Sequence, residues 1–314
     1  MPTDNSTTGQ SGVSILGVFV ADATYHAARQ PNIGETVLGN DFALGPGGKG
    51  SNQSVAAARA GADVTFITRL GDDAFARMAF DLWKSTGITP RVEQLQDSYT
   101  GSAFIYIQEG TGDNAIIVCP GAAATLSADY VESVKDSIIQ SRVFITQLEQ
   151  PIDAARQALS IAREHNVITI LNTAPAEAIP DDIFALCDYV TPNETETETY
   201  TGIAVHSVED AAKAADVLLE KGVGTALITL GERGALLHNR DQSVLIPAFH
   251  AGAVKETTGA GDALNGGFAT ALAEGMSPTD AVRFGCATAG LAVTRPGAAA
   301  SMPTRAEIDA LMAQ

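Results

Sequence analysis

Apolar and polar positions fall in alternating blocks along this chain. Ser14 to Val20 (S-I-L-G-V-F-V) is almost wholly apolar and predicts a buried strand. Asn52 to Ala60 is alanine-rich with no breaker, which predicts a helix. Val64 to Thr68 reads as a strand, and Ala74 to Ser85 as a helix ended by Gly87. Strands are then expected at Val143–Thr146, Val167–Leu171, Tyr189–Thr191 and Ala226–Thr229. Between them lie helical patterns at Ile152–His165 and at Val208–Glu220, the latter stopped by Gly222. Two more helices, Ala263–Glu274 and Thr279–Val293, follow. Strands alternating with helices of this length predict an α/β fold with a mostly parallel sheet covered on both faces.

Two stretches break the rhythm. Glu35–Leu44 and Thr100–Val118 are strand-like with no intervening helix. The second holds Ala103–Ile107, a turn at Glu109-Gly110-Thr111-Gly112, and Ala115–Val118, which reads as a hairpin. Both suit one small antiparallel lid over the parallel sheet, with segments at about residues 20–45 and 98–119. Ordinary edge strands would give the same pattern. Residues 1–11 read as a flexible tail, and 12–314 as a single domain.

Composition narrows the partners. With 45% hydrophobic and 18% charged residues, the chain is globular rather than disordered. Its formal net charge of −18 repels nucleic acid and anionic membranes, so neither is expected as a partner. The same charge repels ATP at long range. Any phosphate site must therefore be local, built from backbone N–H groups, lysine and metal. Cys119, Cys187 and Cys286 are far apart and form no metal or disulfide pattern. With no apolar leader in Met1–Gly12 and no run of eighteen apolar residues, a cytoplasmic protein is expected.

Four motifs carry chemistry. Gly259-Ala260-Gly261-Asp262 precedes the helix expected at Ala263. A helix N-terminus offers unpaired N–H groups and a positive dipole end, and glycines let a phosphate approach. Asp262, in the first turn, can face both a phosphate and an attacking hydroxyl. On its own the run also describes an aspartate that merely caps a helix. Gly45-Pro46-Gly47-Gly48-Lys49-Gly50-Ser51-Asn52 permits close backbone approach, with Lys49 as a cation and Asn52 as a partner for hydroxyls. It is not a Walker A loop. Thr191-Pro192-Asn193-Glu194-Thr195-Glu196 follows a strand, and Asn193 and Glu196 could hold magnesium through water. A plain acidic helix start has the same composition. Leu227 to Gly234 ends a strand in a glycine turn, the usual place for a nucleotide phosphate or ribose, although many αβ units end this way. Asp22 and Glu149 also follow strands. Thus Asp22, Glu149, Asn193, Thr229 and Asp262 all stand at or beyond expected strand ends.

These motifs, in this order, resemble the ribokinase-like (phosphofructokinase B-type) carbohydrate kinases from Ile15 to about Pro303. The strongest pieces are Gly47–Gln53 and Thr257–Gly266 (T-T-G-A-G-D-A-L-N-G). The resemblance implies a doubly wound sheet with a β-clasp lid that often serves as a homodimer interface. It implies transfer of the γ-phosphoryl of MgATP to a primary hydroxyl of a pentose, D-ribose first among them. Asp262 would be the general base, with the N–H groups of Gly259, Ala260 and Gly261 as anion hole. Val20, Ala21, Asp22, Gly48, Lys49, Asn52 and Glu149 would meet the sugar. Asn193 and Glu196 would organise Mg²⁺ and phosphates. Thr229, Gly231, Gly234, Gly261 and Cys286 would line the nucleotide. A K⁺ site would involve Glu256, Thr258, Ala292, Arg295, Gly297 and Ser301.

The chain departs from the family pattern at three places. Val20-Ala21-Asp22 stands where Asn-x-Asp is usual, which removes a hydrogen-bonding amide from the sugar pocket. Glu256 stands where aspartate is usual, and Cys286 where a larger polar residue often lies. Another sugar (fructose, deoxyribose, a ketohexose phosphate) or a nucleoside is the alternative acceptor. A non-catalytic sugar-binding protein on the same fold is the alternative of another class.

Overall fold

The computed structural model describes residues 10–314. The chain begins β1 (Val13–Leu16), β2 (Val20–Ala27), β3 (Asp41–Gly47), α1 (Lys49–Arg59), β4 (Val64–Gly71), α2 (Ala74–Thr86) and β5 (Thr89–Leu95). It continues β6 (Thr100–Gln108), β7 (Asn114–Gly121), α3 (Ala128–Ser133), α4 (Asp136–Ile139), β8 (Val143–Thr146), α5 (Ile152–Glu164) and β9 (Ile168–Leu171). Next come β10 (Tyr189–Val190), α6 (Glu194–Thr201), α7 (Val208–Glu220), β11 (Thr225–Thr229), β12 (Ala235–His238) and β13 (Ser243–Ile246). The helices α8 (Ala260–Ala273), α9 (Pro278–Ala292) and α10 (Arg305–Met312) follow.

Nine strands form the main sheet in the order β13-β12-β11-β10-β9-β8-β1-β4-β5. All pairs from β5 to β11 are parallel; β12 and β13 add an antiparallel edge. Side chains of successive strand residues point to opposite faces. In β1, Val13 and Ile15 therefore join a core with Val55 of α1, Ala79 of α2, Phe268 of α8 and Phe284 of α9. Leu16 joins a second core with Val131 of α3, Ala158 of α5 and Leu218 of α7. The sheet is thus doubly wound, as expected. From β1 the chain builds outward through β4 to β5, and from β8 outward the other way. The direction reverses between β1 and β8, where open α/β sheets form a ligand crevice beyond the strand ends.

The four-stranded lid has the order β3-β2-β6-β7. The hairpin expected at 103–118 is present as β6–β7, with Ile105 opposite Ile116. The central pair of the lid, β2–β6, runs parallel.

Several expected boundaries move. Ser14–Val20 is not one strand. The chain leaves the main sheet after Leu16 because Gly17 lies against α1, where a Cβ would stand 2.8 Å from Gly50 Cα. Val18 and Phe19 are apolar because they are buried in the join, and Val20 already starts the lid. The strand expected at Glu35–Leu44 is Asp41–Gly47; Glu35 instead closes a turn with Asn32 and pairs with Arg29. Helix α1 begins at Lys49, three residues before the expected start, because Gly48 (φ 89°) supplies its N-cap. Of the flexible tail expected at 1–11, residues 1–9 lie outside the described residues. Gln10 and Ser11 are held: Gln10 Nε2 donates to the Ile139 carbonyl (3.0 Å) and Ser11 N to that of Gln140 (3.1 Å). Among the described residues no helix is long and apolar enough to cross a membrane.

Candidate active site

The ends of β1, β8 and β10 and the starts of α1, α6 and α8 bring the expected residues towards one crevice. α8 starts at Gly259, whose left-handed backbone (φ 79°) turns the chain into the helix. Asp262 sits in the first turn and is 6% exposed. Its Oδ2 accepts from Asn52 Nδ2 (3.1 Å) and its Oδ1 from Gln53 Nε2 (3.0 Å). Both donors are neighbours on α1. They reach Asp262 because Gly266 lets α8 pack onto α1: a Cβ there would lie 2.7 Å from Ala57 N and from the Gln53 carbonyl. Asp262 is therefore more than a helix cap. No side-chain cap closes α8, and the carboxylate is directed across to a second helix.

Lys49 begins α1, and its backbone N–H donates to Glu149 Oε2 (2.8 Å). That bond ties the start of α1 to the segment after β8. Gly48 has to be glycine, since a Cβ would stand 2.5 Å from the Val18 carbonyl. A Cβ at Gly47 would strike the Asp22 carboxylate, so Asp22 lies against the glycine run. Val20 is 5% exposed, and a Cβ at Gly101 would lie 2.9 Å from its Cγ1. Ala21 is fully buried, so its side chain offers a ligand nothing.

Asn193 caps α6 in a capping box. Glu196 Oε2 accepts from Asn193 N (3.1 Å) and Thr173 Oγ1 (3.2 Å), and Oε1 from Asn193 Nδ2 (2.9 Å). The acidic helix start is thus a real cap, but the Glu196 carboxylate is buried within it rather than solvated.

A cavity of about 460 Å³ opens between the β11–β12 turn and helices α8 and α9. Thr229, Gly231, Gly234, Gly261 and Cys286 all line it, as expected for a nucleotide site; Asn193 and Glu196 are outside that lining. Phe249, His250, Ala289 and Val293 also line it and were not anticipated. Gly290 is the one signal the sequence holds for that wall, because a Cβ there would strike the Phe249 carbonyl.

A model of the pfkB family carbohydrate kinases matches residues 15–305. The chain belongs to that family. It is 39% identical over 296 residues to the ribokinase of Haemophilus influenzae, covering 94% of this chain and 96% of that protein. It is 34% identical over 294 residues to a deoxyribokinase of Salmonella typhi, covering 93% of this chain and 95% of that protein. The solved structure of Arabidopsis thaliana ribokinase complexed with ribose and ATP matches with a TM-score of 0.93 at 28% identity, covering 96% of this chain and 99% of that one. The kinase is accordingly an ATP-binding phosphotransferase with an alcohol group as acceptor.

Burial governs the charges of the site. It pushes the Glu149 carboxyl up to about 7; nearby Lys49 and the Lys49 N–H oppose this, while Asp262 and Asp22 add to it. Burial raises Asp22 to about 6. Burial also raises Asp262, against the pull of Lys49, Gln53 and Asn52. Glu196 is raised by burial too, against the hydrogen bonds of Asn193 and Thr173. Lys49 thus opposes the effect of burial on Glu149, Asp262 and Glu196 alike.

Two expectations for the kinase change on close view. Of the three N–H groups expected to form an anion hole, that of Ala260 donates to the Thr257 carbonyl (3.1 Å), because the turn at Gly259 folds it back. Around the expected K⁺ site, Glu256 Oε2 accepts from Gly297 N (2.8 Å), joining the loops before α8 and after α9. Most of the other members already have partners. Arg295 pairs with Glu307 (2.6 Å), the Ala292 carbonyl accepts from Arg295 N (3.1 Å), Ser301 Oγ donates to the Ala298 carbonyl (2.8 Å), and Thr258 is exposed.

Proposed function

We propose that the kinase transfers the γ-phosphoryl group of MgATP to the primary hydroxyl of a pentose, D-ribose, giving the 5-phosphate and ADP. The observation that carries this is Asp262: a buried carboxylate held at both oxygens by neutral amides, at a helix N-terminus beside the cavity. The sugar hydroxyl oxygen attacks the γ-phosphorus, Asp262 takes the hydroxyl proton, and the bond to the β-phosphate oxygen breaks. N–H groups at the start of α8, Gly261 among them, face the charge that develops on the phosphoryl oxygens. Asp22, Asn52 and Glu149 hold the sugar hydroxyls. Asn52 Oδ1 supports this role, being a buried acceptor with no partner among the described residues. Lys49 balances the gathered acids.

The donors on α6 suit magnesium. Glu196 and Asn193 offer hard oxygens already engaged by neighbours, so they would hold the ion through water. When bound, that ion neutralises the phosphate oxygens. We read the joined loops at Glu256 as a K⁺ site with backbone oxygens as the other ligands; equal turnover in KCl and NaCl would remove that reading.

The test of the mechanism is Asp262→Asn, assayed with ribose and ATP. Turnover should drop by about 10²–10⁴-fold, the usual weight of a general base. Near-normal turnover would sink it. A second acceptor is favoured by Val20, which is buried and apolar where an amide is usual. A pocket wall without a hydrogen bond rejects an analogue differing by a hydroxyl by only about 10²-fold. Ribose and 2-deoxyribose should therefore differ in kcat/KM by less than about 100-fold. A gap of about 10⁴-fold would show that another group reads the hydroxyl.

A further inference from the structure

The amides on Asp262 lead into a second tier of buried polar side chains. Gln53 is fully buried, and every polar group it has is used. Its Nε2 donates to Asp262 Oδ1 (3.0 Å) and to Asn172 Oδ1 (3.1 Å), while its Oε1 accepts from Gln147 Nε2 (2.6 Å). Asn172, at the end of β9, donates to the Thr191 carbonyl (3.2 Å). The Thr191 hydroxyl donates to Asn265 Oδ1 (2.8 Å), and Asn265 Nδ2 donates to the carbonyl of Gly261 (2.9 Å). The circuit therefore leaves α8 at Asp262 and returns to it one residue earlier. It crosses α1 and the carboxyl ends of β9 and β10 on the way, with Gln147, beyond β8, as a branch on Gln53.

We infer that Gln53 is a positioning residue for Asp262, and that the circuit Gln147–Gln53–Asn172–Thr191–Asn265 holds the carboxylate in line for the substrate hydroxyl. This rests on reading Asp262 as the base. The orientation of Gln53 is unique. Turned over, its carbonyl oxygen would face Asp262 Oδ1 and Asn172 Oδ1, and its NH₂ would face that of Gln147. Neutral donors suit the task. They steer the carboxylate without cancelling its charge, and each oxygen keeps a lone pair for the proton to be taken. The charged groups that face Asp262 are Lys49 from α1, Glu149 from the segment after β8 and Glu196 from α6. None of them is hydrogen-bonded to Asp262 among the described residues, so direction comes from the amides alone.

The test uses Gln53→Met, which keeps length and volume but donates nothing. Its kcat should fall by roughly 10–100-fold, the scale of a misplaced reacting group, while KM for the sugar stays within about threefold. Loss of a bond to the anion should move the acid limb of the kcat–pH profile to higher pH. Thr191→Val, at the far side of the circuit, removes only one hydroxyl and keeps the shape. It should give a smaller loss with the same direction of shift, and it decides the matter if Gln53→Met does not fold. An unchanged kcat and acid limb in both folded variants, with Asp262→Asn inactive, overturns the positioning role and leaves the base reading intact. Full turnover in Asp262→Asn brings down both.

Discussion

At the scale of single residues, the site keeps acids in places that water would not choose. Glu149 and Asp22 are raised to about 7 and about 6 by burial. A carboxyl raised in the folded state binds its proton more tightly there than in the unfolded chain. The stability it contributes is full below about pH 4 and is lost as pH rises through 6 and 7. Glu149→Gln removes the larger of the two penalties. In thermal melts without ligand, it should match the parent near pH 4. At pH 8 it should exceed the parent by about 1–2 kcal/mol, the full shift being discounted for partial exposure. A variant equally stable or weaker at pH 8 would contradict the raised value. Asp262, Asn52, Lys49 and Glu149 were readable beforehand, because glycine runs and strand ends announce them. Gln53 was not. Its meaning lies in Asp262, 209 residues away, and no local pattern marks an amide whose partners are that distant.

At the scale of elements, the α1–α8 contact sets the precision of the site. Gly266 on α8 has Ala56 Cβ, Ala57 N and the Gln53 carbonyl all within 2.7 Å of where a Cβ would stand. These are backbone atoms or short side chains that cannot swing aside. Gly266→Ala should cost about 1–3 kcal/mol in urea denaturation, the usual toll of overpacking, and should lower kcat by drawing Asp262 away from both amides. A stable variant with full kcat would mean that α8 slides freely on α1. The parallel strands β1, β4, β8, β9, β10 and β11 and the helices α1, α2, α5, α7, α8 and α9 were legible, since their apolar runs are buried; the short helices α3, α4 and α10 were not. β2, β5, β12 and β13 were not. β5 (T-P-R-V-E-Q-L) is largely exposed at the sheet edge, so pairing by backbone alone leaves little apolar signal. β2 (V-A-D-A-T-Y-H-A) mixes site residues with lid surface, and neither period shows.

At the scale of the molecule, the lid carries apolar surface that one chain leaves open. Tyr25, Phe42, Leu44, Phe104, Ile116, Ile117 and Val118 are exposed, with the Tyr25 ring centroid 5.0 Å from that of Phe42 and 5.5 Å from that of Phe104 in tilted contacts. Aromatic side chains gathered this way mark an interface rather than scattered surface. We expect a second copy of the chain to cover them. Phe104→Asp should convert a dimer to a monomer in analytical ultracentrifugation; a monomer before the substitution, or a dimer after it, would refute this.

The lid is also joined to the chemistry by very little chain. One residue, Gly48, separates β3 from the helix that bears Asn52 and Gln53. A helix turns 100° per residue, so one residue inserted or lost at that join would swing both amides off Asp262. Residues 28–40, between β2 and β3, bear none of the expected site residues. Length can therefore change there at little cost to the site, while at Gly48 the count of residues is itself part of the active site.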